Sequence, residues 1–260
     1  MSSGLTPSVS RLSLSSGDAS SLETLVQRML ASHMMVSAVH YAELLYRKTR
    51  LPAHGLLYAR CYFLANEKRR CLGVLEQLGY LNLEEGSIPF YENNSEGSVD
   101  QLLFACSANL LAAQCLFDLE QFEDCVSLLD PFMITIDSRI ISDKGLSSLR
   151  LEPSSSEGMV VASLHFMLGK SYDALDNRSR AFLSLTKSIR TSPFVIEAVE
   201  FIVDRSLFTP SQKMELLAEV EQSLSKKDTW LLEQYRYSEA SNTFVLSLCS
   251  NYFHYKISFK

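Results

Sequence analysis

The feature that most constrains this chain is a spacing. Leu168-Gly169-x-x-Tyr172 is followed by Ala181, Leu185 and Pro193, all within residues 162–195. Gly169 and Ala181 are small and lie on either side of Asp176-Asn177, a turn-forming pair. Two helices joined at that turn could approach closely where the small residues meet. Leu168, Tyr172 and Leu185 would fill the groove between them, and Pro193 would end the hairpin. Weaker copies lie upstream. Ala38, Cys71 and Cys125 can each take the small second-helix position, preceded respectively by Leu25-Val26 and Met29, by Tyr58-Ala59 and Tyr62, and by Ala112-Ala113 and Leu116. From Ala38 to Cys71 is 33 residues, and the next two steps are 54 and 56. The first is close to one 34-residue period and the others are one period plus about 20 residues. A lone hairpin cannot bury its apolar face, so such units must stack.

The spacing matches the tetratricopeptide (TPR) pattern. The expected fold class is all-α, a TPR-like superhelix of helix hairpins with two inserted loops. Hairpins are expected near 19–52, 52–85, 106–131, 162–195 and 196–225, with insertions at 81–99 and 131–153 that read as loops or as short extra helices. Hydroxyl caps with an acid or amide three residues on, at Ser20/Glu23, Ser98/Gln101, Ser154/Glu157 and Thr209/Gln212, mark helix starts. Pro210 suits a first helical position, and Ser192-Pro193 reads as another start. Residues 1–20 hold eight serines and read as a disordered tail. Residues 21–240 form the superhelix. Residues 241–260 lack acids and carry Phe244, Leu246, Leu248, Tyr252, Phe253, Tyr255, Ile257 and Phe259, a divergent hydrophobic tail.

Composition narrows the function. With 10 Gly and 7 Pro in 260 residues the chain has few breakers, as a helical fold requires. The net charge of −6 and scattered basic residues argue against a nucleic-acid binder. No apolar run approaches the ~20 residues of a membrane span, and the N-terminus has no signal-peptide pattern. The six cysteines form no Cys-x-x-Cys pair and read as reduced core thiols of a cytosolic or nuclear protein. No metal-ligand spacing is present and no cofactor is expected.

Catalytic signatures are missing. There is no Gly-rich phosphate loop, no Gly-x-Ser-x-Gly elbow and no His-Glu-x-x-His. His165 falls where the repeat places a packing aromatic. Glu84-Glu85 and Glu123-Asp124 are adjacent, so each pair diverges around a helix. The expectation is a non-enzyme. Candidate groove-facing residues on the first helix of the best repeat are Phe166, Lys170 and Asp173.

Residues 168–178, Leu-Gly-Lys-Ser-Tyr-Asp-Ala-Leu-Asp-Asn-Arg, and 208–217, Phe-Thr-Pro-Ser-Gln-Lys-Met-Glu-Leu-Leu, carry a more specific resemblance. Together with Leu57-Tyr-Ala-Arg-Cys-Tyr-Phe63, Ala112-Ala-Gln-Cys115 and the Leu-Leu-Asp ending at Asp130, they resemble the Cdc16-type TPR subunits (subunit 6) of the anaphase-promoting complex. The resemblance covers about residues 22–240. It implies a non-catalytic scaffold of a ubiquitin ligase acting in the cell cycle, at mitosis and cell division, in the nucleus and cytoplasm. It also implies a homodimer through N-terminal repeats and contacts with neighbouring TPR subunits. The family's C-terminal repeats enclose a small partner subunit, and residues 241–260 depart from that pattern. The alternative is a peptide-binding TPR adaptor or co-chaperone. Its carboxylate clamp needs Lys and Asn on the first helix, where this chain has Glu23 and Gln27.

Overall fold

The computed structural model describes residues 16–81, 98–141, 154–205 and 209–223. Within them are ten α-helices and no strand. The chain divides into two compact units, residues 1–80 and 81–260. In the first, α1 (Ser16–Ala31), α2 (Met35–Thr49), α3 (Pro52–Leu64) and α4 (Lys68–Gln77) pack each on the next. In the second, α5 (Ser98–Asp118) and α6 (Phe122–Ile141) pair and both pack on α7 (Ser156–Ala174), which pairs with α8 (Arg178–Thr191). Helices α9 (Ile196–Arg205) and α10 (Pro210–Ser223) both pack on α8. The all-α, TPR-like fold expected from the repeat is the fold observed.

One turn recurs in four hairpins. His33, Asn66, Glu120 and Asp176 adopt left-handed backbone, with φ of 56°, 62°, 60° and 61°. The next amide then reaches back five residues: Met34 to the Met29 carbonyl, Glu67 to Tyr62, Gln121 to Leu116 and Asn177 to Tyr172, at 2.8–2.9 Å. This double-ended closure satisfies carbonyls that a helix end leaves unpaired. Five residues after each left-handed residue stands Ala38, Cys71, Cys125 or Ala181, and all four are fully buried. Nine residues after it stand Ala42, Leu75, Leu129 and Leu185, again with no exposure. Seven residues before it stand Val26, Ala59 and Ala113, equally inaccessible, and the buried Gly169. The register read from small residues therefore holds in all four hairpins.

The closest approach in α7–α8 differs in one detail. A Cβ built on Gly169 would lie 2.7 Å from Leu185 Cγ and 3.2 Å from the Leu185 backbone nitrogen. Gly169 thus abuts Leu185, one turn beyond Ala181. Leu168 and Tyr172 are 4% exposed, and Pro193 is fully buried, as residues filling and ending the hairpin should be.

Several boundaries move. Helix α1 begins at Ser16, so Ser20 lies inside it, where its carbonyl accepts from the Thr24 hydroxyl. Asp18 in the first turn suits the positive end of that helix. The cap of α7 is Ser155, whose Oγ accepts from the Gly158 amide at 3.0 Å, one residue beyond the expected Ser154. Ser192-Pro193 closes α8 and does not open a helix. Ser192 is extended (φ −150°, ψ 109°), as a residue before proline must be, and α9 starts only at Ile196. Helix α6 runs through Pro131 to Ile141, although 131 was the expected start of a loop. Phe132, Met133 and Ile136 are at most 3% exposed there, and their burial outweighs the hydrogen bond Pro131 removes. The capping box at Thr209 forms as read: the Gln212 amide donates to Thr209 Oγ1 and the Thr209 amide to Gln212 Oε1. Residues 1–15, most of both inserted segments and the tail at 241–260 lie outside the described residues.

Gly169→Ala should destabilise the protein by about 1–3 kcal/mol, because backbone as well as side chain must yield to the added methyl. Ala181→Leu should cost a similar ~1–3 kcal/mol by overpacking a fully buried site. Thermal melting of both variants checks this, and an unchanged midpoint in both would mean that the α7–α8 register is misassigned.

Candidate binding surface

The three groove candidates come together. Phe166, Lys170 and Asp173 sit on α7 at i, i+4 and i+7, on one side of the helix. The Lys170 ammonium lies 4.1 Å from the Phe117 ring centre on α5 and 5.9 Å from that of Phe166. Phe117 packs on Phe122 at 5.0 Å. Phe166 meets Phe201 of α9 edge to face at 6.1 Å. Arg205 lies 5.6 Å over the Phe201 ring, and its Nε is 3.7 Å from Asp173 Oδ2. Aromatic and cationic groups thus alternate across α5 and α7, the first helices of two successive hairpins, and α9; the hairpin expected at 196–225 is not seen as a pair, because α9 and α10 each pack on α8. All but the exposed Arg205 are half-buried. Cation–π contacts of this kind contribute about 0.5–2 kcal/mol each, more when dry. Chemically this surface offers stacking faces and positive charge, with the Asp173 carboxylate held against Arg205.

A second polar array, which sequence reasoning missed, ties α6, α7 and α8 together. Asp130, Tyr172 and Arg180 form one rung. The Arg180 guanidinium donates to the Tyr172 hydroxyl at 3.0 Å and lies 3.6 Å from Asp130 Oδ2. Asp137, His165 and Lys187 form the other. His165 Nε2 is 3.3 Å from Asp137 Oδ1, and Lys187 donates to Asp137 Oδ2 at 2.5 Å. In every helix the two members are seven residues apart, close to two turns, so the rungs are stacked. The available signal was the paired spacing of Asp130/Asp137 and Arg180/Lys187, which carries meaning only once the hairpins are aligned. Burial pushes the Tyr172 hydroxyl up, against the opposing bond from Arg180. At Asp137 burial pushes the carboxyl up, yet the bonds from His165 and Lys187 outweigh it and hold the group below the usual aspartate value.

His165 is 3% exposed and its Nδ1 is buried without a partner, so it packs and bridges but touches no solvent-borne substrate. Cys61, Cys71, Cys106, Cys115 and Cys125 are free thiols, each fully buried. Burial raises Cys61 to about 11 and Cys106 to about 12, far from reactive thiolates. No cluster of three or more His, Cys, Asp or Glu fit for a metal occurs among the described residues. Nor is any described helix long and apolar enough to cross a membrane. Glu23 lies 3.8 Å from His54 on α3, and Gln27 is exposed. An acid there does not suit a clamp for peptide carboxylates.

No protein-family model matches the chain. Individual proteins do. Over 212 residues, 81% of this chain, it is 24% identical to anaphase-promoting complex subunit 6 of Arabidopsis thaliana, covering 35% of that protein. It is 28% identical over 126 residues to the cell division cycle protein 16 homolog of Mus musculus, and 26% over 123 residues to that of Homo sapiens. Each of those matches covers 46% of this chain and 20% of the relative. The chain resembles the Cdc16-type TPR proteins in sequence and in fold. The fold evidence is a likeness to the crystal structure of the APC/C hetero-tetramer Cut9–Hcn1, with a TM-score of 0.60 at 19% identity over 86% of this chain and 36% of that one. The chain spans about a third or less of the length of these relatives.

Asp137→Asn should flatten the acid limb of the stability curve. A carboxyl whose folded value is depressed contributes stability that is present above its unfolded value, near 4, and lost as pH falls through the folded value. Wild type should therefore weaken more steeply than the variant below about pH 4. Chemical denaturation across that range measures the difference, and parallel curves would remove Asp137 from the acid response.

Proposed function

We propose that the chain is a non-catalytic TPR scaffold of the anaphase-promoting complex, acting in ubiquitin-dependent control of the cell cycle, in the nucleus and cytoplasm. The observation that carries this reading is the match to subunit 6, which runs through 81% of the chain on a fold whose hairpin register repeats four times. The aromatic–cation surface across α5, α7 and α9 supports it, since stacking faces beside cations suit holding a partner. Neighbouring TPR subunits are the partners expected on that surface, with Phe166, Lys170 and Asp173 at its centre.

Self-association through residues 22–130 belongs to the same reading. In the first unit, Val36, His40 and Leu44 recur at i, i+4 and i+8 on α2. All are exposed, Val36 by 87%. Met34, the cap residue of α2, is also 53% exposed, and uncovered apolar surface of this kind marks an interaction site.

Two measurements test the proposal. Tagged chain recovered from dividing cells should bring other anaphase-promoting complex subunits with it, and their absence would overturn the scaffold reading. In solution the chain should sediment as a dimer at high micromolar concentration, and Val36→Asp with Leu44→Asp should return it to monomer. A strictly monomeric wild type would overturn the dimer while leaving the scaffold in place.

A further inference from the structure

Helices α8 and α10 enclose an open groove with a cavity of about 310 Å³. Its walls include Phe182, Leu183, Thr186 and Arg190 on α8 and Glu215 and Leu216 on α10. Two observations mark it as a seat for something. The apolar wall is uncovered, since Leu183 is 59% exposed and nearby Met214 on α10 is 65% exposed. The Thr186 hydroxyl, on a residue 8% exposed that lines the groove, is buried without a hydrogen-bond partner, so a turn of its rotamer is needed before an occupant can bond it. A buried hydroxyl without a partner costs about 1–3 kcal/mol, so an occupant able to bond it is favoured. The cations at the rim are already held. Arg190 makes a two-pronged pair with Glu219 at 2.7 and 2.9 Å, and Lys187 is bonded to Asp137. What the groove asks for is an apolar segment with a polar atom to spare and no negative charge.

We propose that the occupant is this chain's own segment around residues 244–255. The segment is apolar and aromatic, with Phe244, Leu246, Leu248 and Tyr252. Its tyrosine hydroxyls and backbone can bond Thr186. Residues 241–260 hold no acid and two lysines, whereas α10 carries Glu215, Glu219 and Glu221. The tether also favours it. Twenty residues separate Ser223, the end of α10, from Phe244. Such a link can span up to roughly 70 Å, ample to return along α10. A tethered segment acts at an effective concentration near the millimolar range, so even a weak seat is filled. Docked there, the segment covers the apolar flank that Leu183 leaves open on α8. This does not depend on membership of any complex.

Cys249 lies inside the segment and serves as a built-in reporter, because Cys61, Cys71, Cys106, Cys115 and Cys125 are fully buried. The intact chain is alkylated with iodoacetamide, and modification at each cysteine is followed by mass spectrometry. Cys249 should react at least about tenfold more slowly than in a synthetic 241–260 peptide, equally at low and high micromolar protein. Leu183→Asp should restore the peptide rate while the five core thiols stay silent. If that variant unfolds, the core thiols will react and reveal it, and Leu246→Asp, placed in the segment itself, then gives the same readout. Reaction of wild-type Cys249 at the peptide rate would overturn the proposal. So would protection that survives both substitutions, or protection that grows with concentration, which would place a second copy's segment in the groove.

Discussion

Everything in the described fold hangs on how closely a first helix can lie against the second helix of its own hairpin. The left-handed residue after each first helix sets the phase in which the chain turns back. The buried small residue five positions on, and its apolar neighbour at nine, then face the first helix. If that contact opened, Leu185 and its counterparts would lose their cover, and neither polar rung between α6, α7 and α8 could form. Three of the four turn residues, His33, Glu120 and Asp176, are not the glycine or asparagine that this conformation favours. His33, Asn66 and Asp176 are residue types that tolerate left-handed backbone, so at Glu120 alone of the four must packing on both sides hold the turn.

The same contact explains what was legible in the sequence. Sterics at a close approach leave few residue types, so Ala38, Cys71, Cys125 and Ala181 stood out at their spacing, and the hairpins followed. Helix ends were less legible. Ser20, Ser154 and Ser192 each offered a plausible cap, but the choice among neighbouring serines depends on where packing lets the helix stop. Pro131 misled for a related reason: propensity speaks for a break, while three buried residues beyond it favour continuation. The bridging residues Asp137, His165 and Lys187 lie on three helices, and no local pattern links them. Phe166, Lys170 and Asp173 could be placed on one helix face from sequence, but their neighbours Phe117 and Phe201 come from other helices. Gly169 was assigned to a tight contact, and its opposite number proved to be Leu185, one turn along α8 from the expected Ala181.

Charge is handled differently on the two faces of the second unit. Across α5, α7 and α9 the cations rest on aromatic rings, which leaves them adaptable to a visiting surface. Between α6, α7 and α8 they are tied to carboxylates, Arg180 to Asp130 and Lys187 to Asp137, in pairs that solvent partly screens. A scaffold needs both, a frame that does not rearrange and a surface that can.

Pro131 gives α6 one further property. Its ring removes the amide that would have bonded the Ser127 carbonyl, so the helix has a weak point there. Asp130 anchors one rung immediately before that point, and Asp137 anchors the other two turns after it. Two points of α6 are thus moored separately, one on each side of Pro131, through Tyr172 and His165 on the neighbouring helix. Loss of a single mooring would leave α6 tied to the α7–α8 hairpin by the other and by the buried Phe132, Met133 and Ile136.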